Sequence, residues 1–517
     1  MLSTADISTL LQFKFKDQGL YALSTIVLGW LIYGAGLVFY RLYLHPLSKI
    51  PGPKLAAATY WYEFYQDVIL DGNYIKEYPK LHAKYGPVVR AAPNRVHVSE
   101  PEFYDEIYNR KTAYLKDPNF ALAGGISESL PMLIDPEIHR KRRKLVNPMF
   151  SPKYLDMVAP LALQVVKNAL AKAVESNHAG KPLHIQRLYT GITVDIIMQI
   201  CFDKQLHLID STEEEPPFLR TLRTFSEGFF LTKHFPILTT IAANLPNSLA
   251  NTVVPGYAQF RRQCAAWIED VKQRHSNGVF CAEDGRKTLF DLLLRPSDAE
   301  DPSDLPPLTP EILVDEAYAF CFAGTHTTSI SLSLGTYYLM RDPARLRKLR
   351  DELKDVPKNA DGLMEYRDLL SLPYLTACIK ETLRLSSPVP GILPREVPAQ
   401  GADCCGHYLA PGTIVSMSVR MVHDNAVVFP EPDKFIPERW LGPHAKDADK
   451  WLVVFSKGPR ACIGMNLAWM ELYLTLANFF SRLDMSLWKT DEYTTQWKDN
   501  GNVMLREYVK VMVDGLR

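Results

Sequence analysis

The sequence of 517 residues has no surplus of charge: 58 Lys+Arg stand against 58 Asp+Glu. A nucleic-acid-binding surface needs a basic excess, so nothing here points to nucleic acid as a partner. No disulfide framework is present either. The eight cysteines, Cys201, Cys264, Cys281, Cys321, Cys378, Cys404, Cys405 and Cys462, are scattered without a regular spacing. No Asn-x-Ser/Thr acceptor occurs, which fits a body outside the secretory lumen. No internal repeat appears, and no low-complexity linker cuts the chain in two. These absences leave one large domain from about residue 50 to the end.

Long uncharged runs are scarce, with one exception at the amino end. Leu20 to Tyr40 carries no charge and is rich in Leu, Ile, Val, Trp and Tyr. As a helix it would be ~32 Å long, enough for a ~30 Å hydrocarbon core. A signal peptide has a shorter apolar run and a small-residue cleavage site, and neither is clear here. The favoured reading is a single anchor over residues 1–44, with its transmembrane helix at about 20–40. Arg41, Lys49 and Lys54 follow with no acid until Glu63, whereas Asp6 and Asp17 accompany Lys14 and Lys16 before the span. That bias places the large body in the cytoplasm. Residues 45–54, His-Pro-Leu-Ser-Lys-Ile-Pro-Gly-Pro-Lys, cannot continue the helix and read as a stiff hinge. The remainder, 55–517, is the globular body. Helical patterning dominates it, with small sheets expected near residues 85–100 and 390–420. Val88–Arg90 and Arg95–Val98, split by Pro93-Asn94, read as a hairpin.

One stretch near the carboxyl end organises the rest. Phe455-Ser456-Lys457-Gly458-Pro459-Arg460-Ala461-Cys462-Ile463-Gly464 reads F-x-x-G-x-R-x-C-x-G. If Cys462 is an axial iron ligand, every fixed position has work to do. The flanking glycines let the backbone turn tightly against a flat cofactor. Amide N–H groups aimed at the sulfur tune its electron donation. Phe455 shields the sulfur from water, and Arg460 offers a fork of donors for a carboxylate such as a haem propionate. The bland alternative is a glycine-punctuated loop around a buried cysteine. Five specified positions would match by chance in on the order of 10^-4 of chains this long. The pattern resembles the haem-binding loop of the cytochrome P-450 (haem-thiolate monooxygenase) family.

Four further motifs follow the family's order. Asp135-Pro136-Glu137 starts a helix on which His139 and Arg143 share a face. By resemblance these two hold a haem propionate, while Arg140, Lys141, Arg142 and Lys144 face outward, where they could dock an acidic redox partner. Thr309-Pro310-Glu311 opens a long helix running to about Met340. Midway lies Ala323-Gly324-Thr325-His326-Thr327-Thr328, where Gly and Thr weaken the helix locally. It resembles the family's oxygen-binding helix, with Thr327 kept and His326 where the family usually has an acid. Glu381-Thr382-Leu383-Arg384 and Phe435-Ile436-Pro437-Glu438-Arg439-Trp440 together suggest a buried triad of Glu381, Arg384 and Arg439. Between them Arg395 lies in an expected strand, Leu393–Val397, and resembles a second propionate ligand. Val389, Pro390 and Ile392 sit where the family lines its pocket. An aromatic patch from Phe225 to Leu238 reads first as core. In the family that region roofs the substrate site and brushes the membrane. Cys404-Cys405-Gly406-His407 reads as a turn between short strands, because adjacent cysteines do not chelate one tetrahedral ion easily.

The resemblance, to a microsomal and fungal type, implies a mainly α fold with small β-sheets behind one transmembrane helix. It implies haem b (iron protoporphyrin IX) ligated by Cys462. His139, Arg143, Arg395, Arg460, Phe455 and Gly458 would contact the cofactor, with Thr327 and His326 serving catalysis. No flavin or nicotinamide fingerprint is present, so electrons would come from NADPH through a separate membrane-bound NADPH–cytochrome P-450 reductase. The implied setting is the endoplasmic reticulum membrane. The implied reaction is oxygenation of a hydrophobic small molecule, a terpenoid or polyketide intermediate of secondary metabolism. A haem-thiolate isomerase or dehydratase, or a non-catalytic haem protein, is the alternative.

Overall fold

The computed structural model describes residues 4–109, 113–211, 213, 215–294, 307–443 and 445–517, with side chains from residue 21 onward except that of Asn247. The side chains of Asp6, Lys14, Lys16 and Asp17, weighed above for orientation, lie outside the described ones.

The amino-terminal helix spans Thr4–Phe39 and passes into a wider π turn at Tyr40–Leu44. It begins well before the uncharged run. The stretch Tyr21–Leu44 is long and apolar enough to cross a membrane, and none of it is buried against the body. A second helix, Pro152–His178, passes the same length test but packs into the core. The chain leaves this apolar helix at His45, whose ring accepts the Leu47 amide at 3.1 Å. The hinge is then stitched to the body. Arg90 N–H donates to Pro51 O at 2.7 Å, and the Arg90 guanidinium donates to Arg41 O at 2.7 Å. A Cβ at Gly52 would lie 2.5 Å from Arg90 O, so this contact requires glycine.

The two expected small sheets are in fact one. Strands β1 (Val88–Ala92) and β2 (Arg95–Val98) form the antiparallel hairpin, with Val88 opposite Val98. β3 is Leu115–Lys116 and β4 is Arg395–Glu396, while β5 (Ala402–Cys404) and β6 (His407–Leu409) pair separately. Positive φ at Cys405 and Gly406 turns that second hairpin, as the sequence suggested. β7 (Ile414–Ser416) runs parallel to β2 and antiparallel to β4, giving the order β1-β2-β7-β4-β3. The expected strand at Leu393–Val397 shrinks to the two residues of β4. Four further strands close the chain without having been anticipated. β8 (Leu483–Leu487) pairs with β11 (Val511–Leu516), and β9 (Trp497–Asp499) pairs with β10 (Val503–Leu505).

Helices make up the rest. Thr309 caps the long helix Pro310–Arg341 through the Ile312 amide. It packs closely on Ile185–Phe202, a helix apolar on nearly every side and therefore buried. A Cβ on Gly324 would lie 2.7 Å from the Ile197 side chain, so glycine here permits close packing. The expected weak point is not a break. The helix is continuous, and Thr325 and Thr327 donate back to Cys321 O (2.6 Å) and Ala323 O (2.9 Å). A second correction concerns Arg142. It is only 3 % exposed and pairs with Glu316 of the long helix at 3.1 Å, so it does not face outward.

Candidate active site

The cysteine loop is held by backbone geometry before any side chain acts. Gly458 has φ +69°, and a Cβ there would sit 2.3 Å from Tyr108 O and 2.6 Å from Asn109 O. No other residue fits. Cys462 N–H donates to Phe455 O at 2.8 Å, which closes the loop. Arg143 reaches over from its helix, Pro136–Val146, and donates to Pro459 O (3.2 Å) and Ala461 O (2.5 Å). Arg460 donates to Leu133 O (2.6 Å) and Ile134 O (2.9 Å). Phe455 packs partly buried at the edge of the main core.

A charged layer supports this loop. On the helix Pro373–Ser386, Glu381 and Arg384 form a two-pronged pair at 2.8 and 2.9 Å with no exposed surface. Arg439 Nε donates to Glu381 at 3.1 Å, and Trp440 Nε1 and the Ile436 amide each donate at 2.9 Å. Arg384 also donates to the carbonyls of His423, Pro432 and Lys434. Sequence reasoning missed His423. Burial first, then Arg384 and Arg420, push its imidazole well below the ordinary range, so it is neutral. Its Nε2 accepts the Val453 amide at 3.1 Å, which leaves Nδ1 to donate to Ser387 Oγ at 2.8 Å. The triad is thereby coupled to the chain two residues before Phe455. Nothing local in the sequence marks a lone histidine for this role.

Cys462 is exposed, yet enough protein surrounds it that burial raises its thiol pKa; the Gly464 amide and Arg143 pull the other way. Exposed surface deep in the fold marks the wall of an interior cleft. Ala323, exposed on an otherwise buried stretch of the long helix, and half-buried Thr327 have the same character. His326 points elsewhere. Its Nε2 lies 3.3 Å from Val503 O on β10, and burial lowers the imidazole to about 4, so it is neutral at pH 7. It borders a cavity of about 770 Å³ whose wall includes Phe322, Thr325, Arg187 and Arg223 but neither Cys462 nor Thr327. Thr328 turns inward to the buried carboxyl of Glu471.

Beside the loop, positive charge outweighs negative: Asp117 borders the same place but pairs with Arg95, and Asp135 acts on Arg460 without an ion pair. Burial, then Arg395 and Arg460, push Lys116 well below its usual range. Burial, Arg460 and Arg143 bring His139 to about 3. Burial, Arg395 and Arg143 bring Arg460 to about 10. Arg395 is lowered by burial and stacks over the Tyr108 ring. Among the described residues, none of Lys116, Arg143, Arg395 and Arg460 has a carboxylate within ion-pair distance. Lys116, Arg395, Arg460 and Ser456 line one small cavity of about 90 Å³. Such a cluster favours an anion beside it. The two propionates of a haem whose iron meets Cys462 are anions of the right kind, so these residues fit that cofactor. His139 and Arg143 therefore share the loop's flank with Arg460 and Arg395, while Thr327 lies half-buried on the long helix.

A cysteine loop of this form, with a long threonine-bearing helix in the same fold and cations beside the loop, fits a haem-thiolate enzyme. The profile of the Cytochrome P-450 family matches residues 53–512. The chain belongs to that family and is an oxidoreductase of its monooxygenase class. It is 57% identical over 493 residues to cytochrome P-450 monooxygenase BOT1 of Botryotinia fuckeliana, covering 95% of each chain. It is 36% identical to monooxygenase aneF of Aspergillus aculeatus (92% of this chain, 95% of the relative). It is 38% identical to monooxygenase phqM of Penicillium fellutanum (90% and 87%).

Proposed function

We propose that this protein is a membrane-anchored monooxygenase of secondary metabolism. It hydroxylates or epoxidises a hydrophobic small molecule, a terpenoid or polyketide intermediate. The observation that carries the reading is Cys462, exposed to an interior cleft and flanked by Lys116, Arg143, Arg395 and Arg460, none of which has an ion pair among the described residues. The fungal relatives support the metabolic setting. The exposed apolar helix supports single-pass anchoring in the endoplasmic reticulum membrane, with the body in the cytoplasm.

The cofactor is haem b, which when bound supplies dioxygen activation at an iron ligated by the Cys462 thiolate. Arg460, Arg395, His139 and Arg143 would hold it by its propionates, aided by Lys116. Phe455 and the Gly458 turn keep water from the sulfur. Thr327 Oγ1 holds the water that delivers protons on the distal side. Its hydroxyl already donates to Ala323 O, so its lone pairs are free to accept. His326 feeds protons toward that water from the neighbouring cavity that its ring borders, not by contact with Thr327: a neutral imidazole whose Nε2–H is held by Val503 O keeps Nδ1 as an acceptor. The overall balance is substrate C–H, dioxygen, NADPH and a proton giving alcohol, water and NADP+. NADPH–cytochrome P-450 reductase delivers the electrons.

The test is reconstitution of the full-length holoprotein with reductase in lipid vesicles, with host extract lacking this gene as the source of substrate. Substrate-dependent NADPH oxidation, with one labelled oxygen atom from dioxygen in the product, is the expected result. Product formed without NADPH or dioxygen would overturn the reading in favour of an isomerase or dehydratase.

A further inference from the structure

Behind the hinge lies a second buried charge cluster that no part of the haem site uses. Glu63 and Asp67 belong to the short helical stretch Trp61–Ile69 that follows the hinge. Lys233 donates to both, at 2.6 Å each, and is itself almost wholly buried. His234 Nε2 lies 3.0 Å from Asp67, and Arg95 of β2 pairs with Glu63. Burial opposes each charge, but the partners win. Arg95 and Lys233 hold Glu63 down at about 2, and Asp67 and Glu63 hold Lys233 above its usual range.

The geometry separates this cluster from an ordinary core network. Lys233 and His234 end a helix of six residues, Phe229–His234, in the roof region. A helix so short does not persist alone, so its contacts hold it. At its other end Phe229 packs on Gly501, where a Cβ would come 2.9 Å from the ring. Around the charged end lie aromatic contacts of Phe64 with His234 and Phe235, and of Trp61 with Phe235. Outside them is apolar surface in water: Trp61 is 62% exposed and Ile237 60%. Only the hinge and the short helix Lys54–Ala58 separate this segment from the apolar amino-terminal helix, which keeps the face near the membrane in the proposed anchoring.

We propose that the Lys233–Glu63–Asp67 cluster is a latch. It fastens the roof helix to the segment behind the membrane anchor, and the passage for lipid-borne substrate opens between them when it releases. The inference rests on the reading of residues 225–238 as the roof of a site for a hydrophobic substrate. Buried charges suit this role. When the gap opens water enters, and both halves of the cluster regain hydration that two apolar halves would not. The closed state is held by a directional contact, and the open state is not heavily penalised.

The test uses full-length holoprotein in phosphatidylcholine nanodiscs and two iron-binding probes. Clotrimazole is bulky and apolar, whereas imidazole is small enough to enter without roof movement. In Lys233→Met, clotrimazole association, read from the Soret shift, should be roughly tenfold faster, the effect of about 1.4 kcal/mol on the closed state. Imidazole association should be unchanged. Hydrogen exchange should accelerate at residues 229–234 and not in β1–β2, and this readout does not depend on haem. Asp67→Asn should move both readouts in the same direction by less, and it decides the matter if Lys233→Met does not fold. Wild-type clotrimazole rates with wild-type exchange at 229–234, or exchange accelerated throughout the body, would overturn the latch. An unresponsive Soret band in wild type would instead contradict the haem reading, and the exchange result would still judge the latch.

Discussion

Glu381 and Glu63 are both carboxylates withdrawn from water, and each is held by more than one cation. Yet the two networks have different architecture. Around Glu381, Arg384 sits one turn away on the same helix, and the remaining donors are backbone, Trp440 and Arg439. Every polar atom of that pair is satisfied inside a static layer. Around Glu63, the partners come from β2 and from the six-residue helix Phe229–His234, whose Lys233 is 170 residues away in the chain. The comparison teaches that burial of charge does not by itself reveal purpose. A network within one rigid element fixes a loop. A network joining two elements with separate supports can be released.

The largest expected effect breaks the static network. Glu381→Ala strands Arg384 in the core and should cost roughly 3–5 kcal/mol. Little folded holoprotein should accumulate, measured as haem absorbance per unit of protein. Normal haem content in Glu381→Ala and Arg384→Ala alike would mean that the layer does not support the cysteine loop.

A medium effect sharpens the comparison by pH. Glu63 has its folded pKa lowered to about 2, so its stabilisation is present above the ordinary carboxylate range and is lost as pH falls from there toward 2. Asp499, near the same cluster, behaves oppositely. Burial first, then Asp67, raise it to about 7, so stability declines as pH rises from the carboxylate range to about 7. Denaturant unfolding across pH should therefore show Glu63→Gln flattening the acid arm and Asp499→Asn flattening the arm toward neutrality. If neither substitution changes the slope, the roof cluster does not contribute charge-linked stability.

The smallest effects concern the long helix, where the fold should survive. Thr327→Ala should release more peroxide per NADPH consumed, with haem content unchanged. His326→Leu should slow product formation by about tenfold or less, at the low end of what a positioned proton-transfer group contributes. Because burial lowers His326 to about 4, the rate–pH profile should show no histidine inflection near the ordinary value of about 6.5. Wild-type turnover and coupling in His326→Leu would leave this ring with a packing role against β10.

Much of the cysteine loop and its supports was legible because chemistry fixes local spacing there. Gly458 must be glycine to pass Tyr108 O, and Glu381 and Arg384 must be one turn apart to pair. What was hidden depends on distant partners. Helical periodicity put Arg142 among outward residues, but Glu316, 174 residues on, draws it inside. The latch has the same origin, and so does His423. Merging of the two expected sheets into one follows from β7 lying parallel to β2, a pairing no local pattern announces. Strand β8 did carry a signal, alternating apolar and polar residues from Leu483 to Leu487, but it begins where a helix ends at Arg482, without a turn residue between them. The unbroken long helix shows that a Gly–Thr stretch does not enforce a kink when each hydroxyl can bond back to its own helix.

The proposed function turns on the Cys462 sulfur, which as thiolate would ligate the haem iron. The most direct measurement is the Soret band of the reduced, carbon-monoxide-bound protein, recorded for wild type and Cys462→Ser at equal haem content. The account predicts a red-shifted, thiolate-type band in wild type and its loss in the variant. A thiolate-type band that survives in Cys462→Ser would contradict it.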